Sequence, residues 1–124
     1  MRRRAPVTTS EWKIMTLLWD KSPRTMTEIV SALSEDTGWS KHTVISFLNR
    51  LEQKGSIRHE DGERAKEYFP MLRRDYARMA EAESFLDRVF AGSFGMMINS
   101  LYESDALTDD DIDTMRRIIH RIDA

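Results

Sequence analysis

Cysteine is absent from all 124 residues, which excludes a disulfide framework, a thiolate-bound metal site and a cysteine nucleophile. No apolar run approaches the ~18 residues that a membrane-spanning helix needs. The first apolar stretch is interrupted by Lys13 and Thr16, and no small-residue cleavage pattern follows it. We therefore expect a protein of the reducing cytoplasm, with no secretory signal and no membrane contact.

Catalytic motifs are also lacking. His42, His59 and His120 have no carboxylate at catalytic spacing, and no HExxH, GxSxG or phosphate-loop pattern occurs. The acidic run over residues 109–113 is better explained as the first turn of a helix than as a metal site, because anions there complement the helix macrodipole. We predict no catalytic residue, no metal site, no cofactor and no enzymatic activity.

The formal charge of −2 conceals two halves of opposite sign. Residues 1–74 contain 14 basic and 10 acidic residues, whereas residues 75–124 contain 5 basic and 11 acidic ones. A polyanion such as DNA would therefore meet the first half only. The arginines at positions 2–4 form a predicted tail that either contacts phosphates or simply keeps the chain soluble.

Capping residues and apolar spacing predict two helices at the start of the chain. The S/T-x-x-E pattern occurs at Thr8 and again at Thr25, each time ahead of apolar residues at helical spacing. The helices are expected over 9–21 and 26–36. The second should stop near Gly38, where glycine can adopt a left-handed conformation.

A third helix is predicted over 41–54, with Ser40 as its N-cap and Gly55 as its end. Its buried stripe would contain Val44, Phe47, Leu48 and Leu51. The residues left to reach bases or backbone are Lys41, His42, Thr43, Ser46, Asn49 and Arg50. These types suit DNA recognition, because arginine bonds guanine in a fork, asparagine bonds adenine and lysine neutralises phosphate.

A β-ribbon is predicted next, because residues 56–60 and 66–69 alternate polar and apolar types around Asp61-Gly62. Arg58, Arg64 and Lys66 make it basic in part. Arg64, near the tip, is expected along the DNA backbone or minor groove.

The second half is predicted to be helical, with a long helix ending at Gly92, another after it and a third that begins at Thr108. Its apolar surface exceeds what about fifty residues can hide alone, so we expect it to form a homodimer interface. The expected interface residues are Tyr76, Met79, Leu86, Val89, Phe90, Phe94, Met97, Ile98 and Leu101.

Three helices followed by a two-stranded ribbon are typical of a winged helix-turn-helix, whose third helix enters the major groove of DNA. The predicted fold class is mostly α with a small β-ribbon. Residues 1–74 would be the winged-helix DNA-binding domain and residues 75–124 a helical dimerisation region. Double-stranded DNA is the predicted partner.

A family resemblance covers nearly the whole chain. Its core comprises Trp39-Ser40, Thr43, Arg50-Leu51 and Lys54-Gly55, followed by a strand, the Asp-Gly turn and Tyr68. Residues 8–19 and 84–93 resemble the first helix and the dimerisation helix of the same family. The chain is similar to the penicillinase and methicillin-resistance repressors.

The resemblance implies a bacterial homodimeric repressor that binds an inverted repeat with TACA and TGTA half-sites and blocks transcription, with β-lactam resistance genes as expected targets. Thr43, Ser46 and Arg50 match polar recognition-helix positions of the family. Lys41, His42 and Ile45 stand where Pro, Lys and a polar residue are often found, so the operator is left open. Ile45 either contacts a thymine methyl or, as we favour, packs.

The resemblance also implies release from DNA by a sensor-linked protease that cuts near an Asn-Phe bond. The matching position here is Asn99-Ser100, without the Phe. Copper sensing through a cysteine cluster is excluded, because the chain has no cysteine. The signal that releases the protein from DNA stays open between cleavage at another bond, binding of a small ligand and no direct signal.

Two other functions stay open. A small hydrophobic molecule that binds among the Met- and Phe-rich elements would make the protein a ligand-sensing regulator. A winged helix that only docks proteins would function without DNA contact, and replacing Arg50 or Thr43 would then leave its function intact.

Overall fold

The computed structural model describes residues 7–124, so the predicted arginine tail lies outside the described residues. In chain order the elements are α1 (Thr9–Asp20), β1 (Arg24–Thr25), α2 (Met26–Thr37), α3 (Lys41–Gln53), β2 (Ile57–Asp61), β3 (Lys66–Pro70), α4 (Arg74–Phe90), α5 (Phe94–Glu103) and α6 (Asp109–Asp123). The predicted fold class, mostly α with a small β-sheet, is confirmed.

Two compact units follow one another along the described residues, the first ending at Glu81 and the second comprising Ala82–Ala124, and the residues of α4 belong in part to each. The functional division after residue 74 stays a prediction.

The hydrophobic core of the first unit draws on every helix and on the sheet. Its buried residues are Ile14, Met15, Leu18, Ile29, Leu33, Val44, Leu48, Leu51, Ile57, Tyr68, Leu72 and Ala77. On α3 the buried positions recur at spacings of three and four residues, which turns one side of that helix inward. The opposite side is left for contacts outside the unit.

The predicted capping residues are confirmed at the first two helices. Thr8 and Thr25 each cap a helix through a complete capping box, and Gly38 ends α2 in the left-handed conformation, with φ of 66°. The ends of α1, α2 and α3 differ from the predicted ones by one residue, because helix termini fray and caps allow more than one last residue.

The predicted two-stranded ribbon is part of a three-stranded antiparallel sheet with the order β1-β3-β2. The missed strand, β1, is only two residues long and pairs Arg24 with Tyr68 and Thr25 with Glu67. A strand of that length has no alternation for a sequence pattern to reveal. The hairpin pairs Asp61 with Lys66, and residues 62–65 form its loop. We call this hairpin, residues 57–70, the wing.

The second unit contains the end of α4 and all of α5 and α6. The helix α4 ends at Phe90, two residues before the predicted end, because Ala91 and Gly92 have φ of 50° and 83° and turn the chain into α5. Thr108 caps α6 through a third capping box. Neither α5 nor α6 has a fully buried residue. None of the helices within residues 7–124 is long and apolar enough to cross a membrane.

Candidate nucleic-acid interface

The outward side of α3 presents a band of polar side chains. We define the recognition face by the residues Lys41, His42, Thr43, Ser46, Asn49 and Arg50. All are exposed except Thr43, which is half-buried. The face lies opposite Val44, Leu48 and Leu51, which pack in the core. Core packing therefore decides which side chains of α3 point outward.

The start of α3 is fixed by its cap. The Ser40 side chain accepts a hydrogen bond from the Thr43 backbone N–H at 3.2 Å. The two hydroxyls are also 3.1 Å apart and hydrogen-bonded, with either oxygen able to donate. Thr43 is thus held by the cap, which restrains the position of its hydroxyl.

Aromatic rings support the guanidinium of Arg50. The ring centroids of Trp39 and Phe47 lie 4.8 Å apart, and Arg50 Cζ lies 5.5 Å from the centroid of the Phe47 ring. A guanidinium stacked over a ring loses less freedom when it binds than one free in water. Phe47 is half-buried rather than fully buried, contrary to the predicted stripe, because it sits between the core and this arginine.

A cleft of about 390 Å³ separates α3 from the wing. Its lining residues are Met26, Thr27, Ile45, Asn49, Ala65, Lys66 and Tyr68. Ile45 is half-buried there, with its side chain against the cleft. Asn49 of the recognition face and Lys66 of the wing both line this cleft, so α3 and the wing contribute polar groups to the same part of the surface.

The wing carries mixed charge. Arg64 and Lys66 are exposed, but Asp61 and Glu63 are exposed beside them. Arg58 is engaged already, since it forms an ion pair with Glu60 and its Cζ lies 4.2 Å from the centroid of the Phe69 ring. The other two cations of the wing are Arg64, which lies in the loop, and Lys66, which begins β3 beside it.

A polar contact from the middle of β2 also joins the wing to α3. His59 Nδ1 forms a hydrogen bond with the Glu52 carboxylate, and its ring centroid lies 5.8 Å from that of Tyr68. Burial, together with the negative charge of Glu52, raises the pKa of the Tyr68 phenol. This phenol therefore stays protonated at neutral pH and acts as a packed core group.

Sequence reasoning misses some of this surface. Thr27 and Met26 line the cleft from the first turn of α2, and nothing in their local pattern indicates that they face the wing. The sequence indicates Lys66 as a ribbon cation but not as a neighbour of Asn49. The alternation of strand residues could have indicated its outward position, although not its distance from α3.

The second unit presents an apolar groove of about 740 Å³ between α5 and α6. Leu107 lies in the turn between the helices, and the other apolar lining residues are Phe94, Ile98, Tyr102, Ile112, Met115, Ile118, Ile119 and Ile122. Of the residues predicted for dimerisation, Phe94 and Val89 are exposed, whereas Leu86, Phe90, Met97, Ile98 and Leu101 are half-buried. In the first unit, Tyr76 and Met79 are exposed on α4. The isoleucines of α6 are not among the predicted interface residues.

The predicted cleavage position lies inside α5. Asn99 and Ser100 are exposed; the Asn99 amide donates to Glu103 at 3.2 Å and the Ser100 hydroxyl donates to the Met96 carbonyl at 2.9 Å. The bond between them is therefore in helical conformation. Among residues 7–124, no group of three or more His, Asp or Glu side chains is arranged to hold a metal ion.

Three helices and a hairpin, with an outward polar face on the third helix, define a winged helix-turn-helix protein. Sequence comparison identifies the group within that class. The model of the penicillinase repressor family matches residues 7–121, and the chain belongs to this family.

Two curated relatives illustrate the match. The methicillin resistance regulatory protein MecI of Staphylococcus aureus strain N315 is 22% identical over 115 residues, which cover 93% of this chain and 94% of the relative. The penicillinase repressor of Bacillus licheniformis is 28% identical over 120 residues, which cover 96% and 93%. The names of both describe regulatory proteins rather than enzymes.

Two solved structures share the winged-helix fold. The DNA-binding domain of the repressor BlaI, solved in solution, has a TM-score of 0.54 and 26% identity, and the match covers 61% of this chain and 93% of that one. The monomeric form of Bacillus licheniformis BlaI in complex with the blaP half-operator has a TM-score of 0.53 at the same identity and coverage.

Proposed function

We propose that this chain is a transcriptional repressor that binds an inverted-repeat DNA operator as a homodimer in the bacterial cytoplasm. The observation that carries the proposal is the division of α3 into a packed side and the exposed recognition face. In a winged helix-turn-helix that side of the third helix enters the major groove. The half-operator complex of BlaI supports the same use of this fold here.

The recognition face supplies the groups that distinguish bases. Arg50, supported by Phe47, would bond guanine O6 and N7, and Asn49 would bond adenine N6 and N7. Ser46 and His42 are exposed and able to donate or accept. Lys41, at the first turn, would neutralise a phosphate.

The wing would add contacts to the DNA backbone. Arg64 and Lys66 are exposed cations on either side of Ala65, and Lys66 lines the cleft together with Asn49. A phosphate near the cleft would meet Lys66, while Arg64 follows the backbone or the minor groove. Asp61 and Glu63 would repel phosphates, so the loop would contact the DNA backbone along one side and would not insert deeply.

Dimerisation through the second unit would give the protein two recognition faces. The groove between α5 and α6 is apolar, and Ile119 and Ile122 are 57% and 75% exposed in the single chain. Helices with exposed apolar faces are stable in water when a second copy covers them. Two modules related by a two-fold axis would read half-sites about one helical turn, roughly 34–36 Å, apart.

Control of β-lactam resistance genes, and release by a sensor-linked protease, are the finer parts of this proposal. They rest on membership of the family and on the names of the relatives. Cleavage between Asn99 and Ser100 would require α5 to unfold locally, because a helical bond is not in the extended form that a protease takes up. Because α5 lines the groove, its local unfolding would also remove its contribution to the dimer interface.

The test is a titration of a labelled TACA/TGTA inverted repeat followed by fluorescence anisotropy at two salt concentrations, with a scrambled duplex alongside. Selective binding that weakens with salt is expected. Arg50→Ala should lower operator affinity by about 1–3 kcal/mol, or roughly 5-fold to 150-fold. Arg78→Ala, which removes an equal charge from an exposed site on α4, should have a smaller effect.

Equal binding of both duplexes would contradict the assigned operator while leaving DNA binding intact. Absence of binding at low salt would contradict DNA binding itself and favour a protein-docking role.

A further inference from the structure

A buried ion pair joins the start of α1 to the end of α3. Lys54 Nζ lies 2.7 Å from Glu11 Oε1, and the side chains are 19% and 0% exposed. The same oxygen accepts the Thr8 backbone N–H at 2.9 Å. Lys54 and Glu11 are 43 residues apart in the chain, so the pair is a tertiary contact made by folding.

The charges suit the helix ends that carry them. Glu11 lies in the first turn of α1 and Lys54 is the C-cap of α3, so each complements the local helix dipole. Burial by itself raises the pKa of Glu11, but hydrogen bonds from Lys54 and Thr8 and the charge of Lys54 outweigh it and hold the pKa below its usual range. The carboxyl of Glu11 is therefore ionised at neutral pH.

Stability alone gives little reason for such a pair. Glu11 Oε2 is buried and has no hydrogen-bond partner among residues 7–124. Burying charges carries a desolvation penalty that the mutual attraction often only offsets, and apolar replacements of similar size are frequently as stable. What an ion pair adds over apolar packing is a defined geometry, because it is favourable in few arrangements.

The Glu11–Lys54 pair lies beside the turn that leads from α3 into the wing. After Lys54, Gly55 N–H donates to Glu52 and Ser56 N–H donates to Leu51, each at 3.0 Å. The Ser56 carbonyl then accepts the N–H groups of Met71 and Leu72, at 2.8 and 3.1 Å. The end of α3, the base of the wing and the segment after β3 therefore meet at one turn, next to Lys54.

We propose that the Glu11–Lys54 pair positions the recognition face and the wing, by holding the C-terminal end of α3 and the following turn in one orientation against α1. Neither residue belongs to the recognition face. Their effect on DNA would pass through the direction of α3, and the inference therefore rests on the proposed DNA-binding function.

The test replaces the charged pair by a neutral one. The substitutions Glu11→Gln and Lys54→Met together define the neutral-pair variant, which keeps the net charge of the parent and retains an amide oxygen that can accept the Thr8 N–H. The matched control is Asp36→Asn with Lys13→Met, which neutralises an exposed ion pair of 2.6 Å between α1 and α2. Each variant is titrated with the TACA/TGTA duplex and the scrambled duplex under conditions where circular dichroism shows it to be folded.

Positioning predicts that the neutral-pair variant loses about 5-fold to 150-fold in the ratio of operator to scrambled affinity, the discrimination that one well-placed base contact supplies. Its affinity for the scrambled duplex and its salt dependence should change much less, because every cation of the recognition face and the wing is retained and non-specific attraction to phosphates depends little on their exact placement. The control variant should keep the parent's ratio. A parent-like ratio in the neutral-pair variant would overturn the inference.

A second measurement is independent of DNA. Amide hydrogen exchange at Gly55 and Ser56 should become faster in the neutral-pair variant, relative to Val44 and Leu48 in the core. Unchanged exchange there would also overturn the inference. If the parent protein itself fails to prefer the operator, the proposed operator is wrong, and the exchange rates still decide whether the pair holds this turn. Should the neutral-pair variant not fold, Glu11→Gln alone is used with the same two readouts.

Discussion

Replacing Ile119 of α6 by Glu is expected to dissociate the proposed homodimer. Ile119 lines the apolar groove between α5 and α6 and is 57% exposed in the single chain. In the dimer this exposed part would be covered. A carboxylate at the same position would have to lose its hydration without gaining a partner.

The magnitude follows from the exposed fraction. Full burial of an isoleucine side chain contributes about 1.5–3 kcal/mol, so covering a little more than half of it contributes roughly 1–1.5 kcal/mol. A two-fold interface loses this twice, or about 2–3 kcal/mol. Every 1.4 kcal/mol is tenfold, so the dimer Kd should rise roughly 30-fold to 150-fold, before any repulsion between the two carboxylates is added.

Sedimentation equilibrium of the parent and of Ile119→Glu measures the two dissociation constants. His120→Glu is the matched control, since it places the same charge on the neighbouring exposed residue, which does not line the groove. A dimer Kd that is unchanged in Ile119→Glu, or raised equally by His120→Glu, would refute the assignment of this groove as the interface.

Two further predictions concern the first unit. Gly62→Ala should destabilise it by about 1–3 kcal/mol in urea unfolding, because a Cβ there would meet the Ala65 carbonyl oxygen at 2.7 Å. Glu63→Ala, in the same loop, should change stability little, and equal losses in both would contradict this account of the loop. Acidification should remove the stability that the ionised Glu11 adds to the folded state. Because the pKa of Glu11 in the folded state lies below the usual 4.5, this contribution is complete above pH 4.5 and is lost as the pH falls through the lowered pKa. Urea unfolding from about pH 5 to pH 3 should therefore show a shallower loss of stability in Glu11→Gln than in the parent, and parallel curves would refute the ionised state of Glu11.

Local sequence patterns predicted the helices well, because capping is a local property. Thr8 and Thr25 form their hydrogen bonds within three residues, and Gly38 needs only its own backbone freedom. The strand β1 was missed, since two residues carry no period. It forms because Arg24 and Thr25 pair with the edge of β3, and that pairing depends on the tertiary structure.

The recognition face could be predicted for the same reason that α3 could. Once Val44, Leu48 and Leu51 are assigned to the core, the remaining side chains must point outward. The contact of Thr43 with Ser40 and the stacking of Arg50 on Phe47 are local too, because each joins residues three apart on α3 or its cap. The approach of Lys66 to Asn49 depends instead on how the wing packs beside α3 in the folded chain. The Glu11–Lys54 pair is the extreme case, because no local signal links residues so far apart in sequence.

The separation of the two sides of α3 has a consequence for how proteins of this shape diverge. Under the proposed mode of DNA binding, substitutions at exposed positions such as Ser46 or Asn49 would alter which bases are preferred and would leave the packing of Leu48 and Leu51 untouched. Surface changes of that kind usually alter stability by less than about 0.5 kcal/mol. A duplicated copy could then acquire a new set of target genes through a series of folded intermediates, because the residues proposed to select the operator are not the residues that hold the domain together.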